Sequence, residues 1–298
     1  MIEVKNNTPL SQYSFYGIGG PVDELFFIDD AKEFADVWGE TISTNIPHII
    51  LGGGSNIAFA DKGFRGRVFI PKFEKTKLTT YDDTTFLKVE AGKNLQNLIE
   101  ESAKEGFTDL TNLAGIPGTL GGAVRGNAGA YGSEISEFIV EIEYVNELGN
   151  IEKISPQKAE FDYRTSIFKQ NPDWAITSAT LKLTQKENPE TALEKIKNLT
   201  KERWQKIPAG KSGGSFFKNP TNNSAGKLLD ELGAKGDQLG EIQIAQNHAN
   251  FFLNTGNGKQ NDLIELARKW KHKVSEKHNI SLEPEVILVD EFGEIVKL

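Results

Sequence analysis

Apolar positions divide this 298-residue chain into short strands and a few amphipathic helices. Residues 22–28 (VDELFFI) are predicted as a strand. Asp30 then caps a helix with Phe34, Val37 and Trp38 on its apolar face, and Glu33 is spaced to complete a capping box. Residues 47–51, 68–71 and 85–90 read as strands. Asn94 caps a second helix, with Leu95, Leu98, Ile99, Ser102 and Ala103 on one face and Gly106 as its stop. From 140 to 145, Val140, Ile142 and Tyr144 alternate with Glu141 and Glu143, as in a half-buried strand; residues 151–154 and 174–183 extend that sheet. Residues 190–206 place Leu193, Ile196, Leu199 and Arg203 on one side of a helix. A long helix over 261–278, capped by Asn261, aligns Leu263, Ala267, Trp270 and Val274, and residues 282–289 and 294–296 are expected as a closing strand pair. The elements sum to an α+β fold. The composition shift at residues 185–189 (QKENP) sets the expected boundary between a two-part domain, 1–187 with subdomains about 1–74 and 75–187, and a smaller domain, 188–298.

Two glycine segments interrupt this pattern. Gly115 to Gly132 (GIPGTLGGAVRGNAGAYG) holds seven glycines in eighteen residues. Each interior glycine costs a helix about 1 kcal/mol relative to alanine, so no stable helix is expected there. Bare N–H groups in succession suit a phosphate, although a loop packed tightly on a strand would look the same. The second segment, Gly52-Gly53-Gly54-Ser55-Asn56, follows a strand directly. It lacks the G-x-G-x-x-G spacing and no Gly-Lys-Ser/Thr follows, which sets aside a Rossmann site and a P-loop. A strand-to-turn of bare amides still suits a pyrophosphate.

Composition narrows the chemistry. The net charge of -8 argues against a nucleic-acid partner. With no cysteine there is no disulfide, thiolate nucleophile or iron–sulfur cluster, and the four histidines show no metal spacing. The N-terminus does not read as a signal peptide, and no window approaches the ~18 apolar residues of a membrane span, so a cytoplasmic protein with no membrane partner is expected.

Six blocks, in order, resemble the UDP-N-acetylenolpyruvoylglucosamine reductase family of peptidoglycan synthesis. They are the two glycine segments, FDYRTSIFK (161–169), GSFFKNP (214–220), AGKLLD (225–230) and LEPEV (282–286). The resemblance runs from about residue 14 to 289 and fits the family's shorter type, without extra C-terminal elements. It implies a two-part FAD-binding domain of the PCMH type followed by a smaller α+β substrate-binding domain. It also implies noncovalent FAD, NADPH as reductant, and UDP-N-acetylglucosamine enolpyruvate as substrate; a monomer is expected. Carried onto these positions, Arg164 of the Y-R-x-S motif would steady a carboxylate and an enolate-like charge, Ser215 would protonate C2, and Glu285 would assist Arg164. FAD contacts would come from Gly52, Gly53, Gly54, Ser55, Asn56, Gly115, Pro117, Gly118, Gly121, Gly122, Asn127 and Gly129. Tyr163, Lys206, Lys218, Asn219 and His248 resemble substrate or NADPH contacts. Two departures stand out. Residues 14–20 (SFYGIGG) lack the two threonines and basic residue more usual before Ile-Gly-Gly, and Ile287 stands where arginine is common. Two other readings compete. One is an FAD-dependent oxidase of the same fold acting on a carbohydrate or alcohol. The other is a nucleotide-sugar binding module without chemistry, against which the joint presence of Arg164, Ser215 and Glu285 argues.

Overall fold

In the computed structural model, which describes residues 1–82 and 84–298, the sequence signals mostly become the elements they announce. Strands β1 (Ile2–Pro9) and β2 (Pro21–Ile28) lead into helix α1 (Ala31–Ser43). The Asp30 carboxylate caps α1 by accepting from the amides of Lys32 and Glu33 at 2.8 and 3.2 Å. Glu33 does not complete the expected capping box; its carboxylate instead lies 2.7 Å from the amino group of Met1. Next come β3 (His48–Ile50), β4 (Ile57–Phe59), β5 (Phe64–Pro71), β6 (Thr76–Tyr81) and β7 (Thr84–Glu90). Helix α2 (Leu95–Lys104) buries the five predicted residues, and Gly106, with φ 84°, adopts the left-handed turn that ends it.

The glycine-rich segment corrects an expectation. It contains a short helix, α3 (Leu120–Arg125), capped by Thr119. Packing overrides propensity here: Leu120, Ala123 and Val124 are buried, and Gly121 closes on Ala91, where an added Cβ would meet the Ala91 side chain at 3.0 Å. A small hairpin follows, β8 (Gly129–Ala130) with β9 (Ser133–Glu134), and then β10 (Ile139–Val145), β11 (Ile151–Ile154), helix α4 (Ile167–Gln170) and β12 (Ala175–Leu183). Helix α5 (Pro189–Lys206) buries Ala192 and Ile196. The last part holds α6 (Ala225–Glu231), β13 (Gln238–Leu239), β14 (Ile242–Ile244), β15 (Phe252–Asn254), α7 (Gln260–His278) and β16 (Ile287–Val289).

Two further expectations change at the C-terminal end. Asn261 does not cap the long helix. Lys259 holds the cap position, and Asp61 supplies the carboxylate, accepting from the Gln260 amide at 2.9 Å. The closing strand pair reduces to β16 and a single bridge between Val289 and Ile295, because β16 pairs in parallel with β4, Ile287 opposite Ile57 and Val289 opposite Phe59.

The chain divides into two compact units. The first comprises residues 1–4, 25–53 and 68–204; the second comprises residues 5–24, 54–67 and 205–298. The first holds a five-stranded sheet in the order β11-β10-β12-β7-β6, with neighbours antiparallel throughout. Its core includes an aromatic cluster in which Phe34 stacks on Trp38 at 5.5 Å between ring centroids and Phe26 on Phe69 at 5.0 Å. The second unit packs the three-stranded sheet β13-β14-β15 against α7, which also meets α6, around a core that includes Phe216, Phe217 and Phe252. A further sheet has the strand order β1-β2-β5-β3. No helix among the described residues is long and apolar enough to cross a membrane.

Candidate active site

In the first unit the glycine segments abut. A Cβ on Gly53 would stand 2.7 Å from Gly118 Cα, and one on Gly52 would stand 2.6 Å from Thr119 Oγ1, so only glycine allows the approach. Among the described residues, the amides of Gly53 and Gly118 donate to no protein acceptor. Two bare backbones in contact, with N–H groups left over, suit a large anionic cofactor that lies along the chain, and the residues fit FAD on that ground. In the second unit Gly54 is bare for a different reason: with φ 66°, a Cβ would fall 1.9 Å from Tyr13 O. The side chain of Asn56, also expected among the cofactor contacts, donates to Glu285 O at 3.0 Å.

Arg164 sits at the tip of a tight turn. Asp162 and Thr165 exchange backbone hydrogen bonds at 3.2 and 3.1 Å, which leaves Tyr163 and Arg164 at the corner. Arg164 has φ 57°, a left-handed conformation costing a non-glycine residue about 1–2 kcal/mol. Side-chain bonds to the glycine segment fix the turn. Asn127 donates to Asp162 O at 3.1 Å, Ser166 Oγ donates to Arg125 O at 2.8 Å, and Arg164 Nη2 donates to Gly129 O at 2.9 Å. Gly129 must be bare, since a Cβ would meet Ser133 O at 2.8 Å and Arg164 Nη1 at 3.4 Å. The Asn127 side chain also donates to Glu134 at 2.6 Å and accepts from the Ser136 amide, so it works as a brace inside the protein. The guanidinium of Arg164 lies 5.2 Å from the ring centroid of Tyr163, which is exposed.

Ser215 and Glu285 are brought together within the second unit. Phe216, directly after Ser215, accepts from the Glu285 amide at 2.8 Å, and its own amide donates to Asn250 O at 2.8 Å. Asn250 is buried and holds the next residue at both backbone groups: its Oδ1 accepts from the Phe217 amide at 2.9 Å and its Nδ2 donates to Phe217 O at 2.8 Å. Below the preceding glycines lies Tyr16, where a Cβ on Gly213 would stand 2.5 Å from the ring. Burial pushes the Tyr16 phenol well above its usual range, partly opposed by the Gly213 backbone. Of the other expected contacts, Lys218 pairs with Glu283 at 3.3 Å and Asn219 Oδ1 accepts from the Ala225 amide at 3.0 Å, at the start of α6. The His248 ring packs on Phe251 at 4.7 Å, and burial holds its imidazole below the ordinary histidine value. Lys206 ends α5 and is exposed.

The motifs did not single out Asn250, Thr119, Tyr131 or Arg203 as site residues. Tyr131 has φ 51° and carries the Arg203 guanidinium over its ring at 5.3 Å. A groove of about 630 Å3 in the first unit, lined by Asp109, Asn112, Gly132, Glu137, Lys195 and Glu202 among others, includes none of the expected site residues. Among the described residues no group of three acidic or histidine side chains could hold a metal ion.

A family model described as FAD binding domain matches residues 22–155, and one described as UDP-N-acetylenolpyruvoylglucosamine reductase, C-terminal domain, matches residues 205–289. A solvent-stable cholesterol oxidase aligns with 61% of the chain at a TM-score of 0.50 and 17% identity, which shows the fold alone. The matched FAD-binding model and the fold thus place the chain among flavin-binding enzymes. A UDP-N-acetylenolpyruvoylglucosamine reductase of Syntrophomonas wolfei subsp. wolfei is 34% identical over 97% of this chain and 95% of its own. One from Chlamydia muridarum is 36% identical over 96% of this chain and 94% of its own. The crystal structure of the Thermus caldophilus enzyme covers 97% of this chain and 98% of its own at a TM-score of 0.77 and 32% identity. The chain belongs to the UDP-N-acetylenolpyruvoylglucosamine reductase family.

Proposed function

We propose that Arg164, Ser215 and Glu285 carry the chemistry of this family, the NADPH-dependent, FAD-mediated reduction of UDP-N-acetylglucosamine enolpyruvate to UDP-N-acetylmuramate for peptidoglycan synthesis. Gly52, Gly53, Gly118 and their neighbours would hold FAD, which when bound would supply the hydride relay from NADPH to C3 of the enolpyruvyl ether. As C3 gains its hydride, negative charge appears at C2 and spreads into the carboxylate. Arg164 holds that carboxylate, and its fixed left-handed turn keeps the guanidinium from relaxing away during the reaction. The Ser215 hydroxyl donates a proton to C2, and Glu285 steadies the same charge with Arg164. Tyr163, Lys206, Lys218, Asn219 and His248 serve the nucleotide and its diphosphate. The protein works as a cytoplasmic monomer.

The backbone pairing of Phe216 with Glu285 supports this reading, because it ties the segment that bears Ser215 to the segment that bears Glu285. A stopped-flow experiment on Ser215→Ala tests it. NADPH should still bleach the flavin at the native rate, while reoxidation by the enolpyruvyl sugar should fall by about 10²–10⁴-fold, the usual contribution of a positioned acid. Native reoxidation in the variant would remove Ser215 from the mechanism.

A further inference from the structure

Glu134 is not among the expected site residues, yet it meets two of the residues that hold Arg164 and its turn, Asn127 and Gly129. It ends β9, opposite Gly129 in β8. One of its carboxylate oxygens accepts from Asn127 Nδ2 at 2.6 Å, and the same nitrogen donates to Asp162 O at 3.1 Å. At the other end of that amide, Asn127 Oδ1 accepts from the Ser136 N–H at 3.3 Å. Asn127 is 1% exposed, so both ends of its amide need partners inside the protein. A carboxylate only accepts, whereas the amide of a glutamine could offer either end. Glu134, with the longer Ser136 bond, therefore fixes which way the Asn127 amide faces, and that orientation brings an N–H to Asp162 O. Glu134 is itself held in place: its own amide donates to Glu137 Oε1 at 2.7 Å, and Glu137 Oε2 accepts from Ser133 Oγ at 3.0 Å. Its stem also borders Gly129, where an added Cβ would stand 2.8 Å from Glu134 Cγ and 3.4 Å from Arg164 Nη1. Gly129 O accepts from Arg164 Nη2, so the glutamate and the guanidinium share one stretch of bare backbone.

The turn needs such support. The Thr165 amide closes it by donating to Asp162 O, the same carbonyl that Asn127 holds, and Arg164 inside it keeps a left-handed φ of 57°. We propose that Glu134 is a positioning residue for Arg164: its carboxylate orients the Asn127 amide, which holds Asp162 O and keeps the strained turn in the conformation that presents the guanidinium. The proposal rests on the role given to Arg164 above.

The test combines stopped-flow half-reactions of the holoenzyme with amide exchange in the same protein free of substrate. In Glu134→Ala, reoxidation of the reduced flavin by UDP-N-acetylglucosamine enolpyruvate should slow by about tenfold or more, the scale of one hydrogen bond to a charged group, while reduction by NADPH stays within about twofold. The Thr165 amide should exchange faster, because the turn it closes has lost its brace. Glu134→Gln keeps an acceptor but can also turn its own NH2 toward Asn127, so its reoxidation rate should fall between those of Glu134→Ala and the native protein. It becomes the deciding variant if Glu134→Ala fails to fold, and native reoxidation in it would then overturn the proposal. Equal slowing of both half-reactions would reduce Glu134 to a support of the hairpin. Native reoxidation in Glu134→Ala, whatever the Thr165 exchange, would remove it from the positioning of Arg164. Arg164→Lys, measured in parallel, separates the two assignments. Native reoxidation in that variant removes the role of Arg164 whatever Glu134 does; slowed reoxidation there, beside native rates in Glu134→Ala, strikes only the present proposal.

Discussion

Asn250 shows at the scale of one residue what a motif hides. It is buried, makes two hydrogen bonds to the backbone of Phe217, and its own carbonyl accepts from the Phe216 amide. Replacing it by alanine leaves a buried N–H and C=O unpaired, at a cost of about 2–4 kcal/mol. We expect Asn250→Ala to lower the thermal midpoint by several degrees and to reduce substrate turnover more than flavin reduction by NADPH, since it releases the segment that carries Ser215. Equal effects on both half-reactions would assign it to stability alone. His248 gives a pH prediction. Burial is the main cause that lowers its pKa in the folded protein, so the folded state binds its proton less readily than the unfolded chain. Its contribution is complete above the unfolded value of about 6.5 and is lost as the pH falls through the lower folded value. The His248→Gln variant should therefore show a smaller drop in thermal midpoint between about pH 7 and pH 5 than the native protein. The sequence displayed Arg164, Ser215 and Glu285 because their side chains recur in short motifs. It was silent on Asn250 and Arg203, whose partners lie far along the chain: Asn250 bonds a residue 33 positions away.

At the scale of elements, local signals predicted what local forces decide. The caps at Asp30 and Asn94 and the glycine stop at Gly106 formed, and in β10 Ile142 and Tyr144 are buried as expected while Val140 is only partly so. The misses came where a distant partner intervened. Asp61 caps α7 from 199 positions away, β4 captures β16, and buried apolar side chains make α3 helical despite its glycines. The glycine segments illustrate both sides, since their lack of side chains was plain but the reason for it, mutual contact, was not. Gly53→Ala tests that contact. Its Cβ would meet the Gly118 backbone at 2.7 Å, where no flexible side chain can yield. The variant should keep native far-ultraviolet circular dichroism but purify with far less flavin per chain and a weakened affinity for added FAD. Full flavin content would mean that the two segments can separate without harm to the cofactor site.

At the scale of the molecule, a linear boundary at residues 185–189 could not show that the compact units are discontinuous. Residues 5–24 and 54–67 belong with residues 205–298, and no composition shift marks them, because membership follows from long-range pairing. The second unit depends on these early segments in two ways. Its core includes Tyr16, Ile18 and Ala58, and β16 has β4 as its strand partner. Gln260 ties the same pieces from the start of α7, its side-chain amide donating to Ala58 O and Val289 O at 2.8 Å each. A fragment of residues 205–298 would lose those core side chains, leave the edge of β16 unpaired and strip the Asp61 cap from α7. Expressed alone, the fragment should show no cooperative thermal transition and little amide protection in α7, whereas in the intact chain α7 should be among the most slowly exchanging segments. A cooperative transition in the fragment would show that the C-terminal residues specify their fold unaided, and that the early segments join a core already formed.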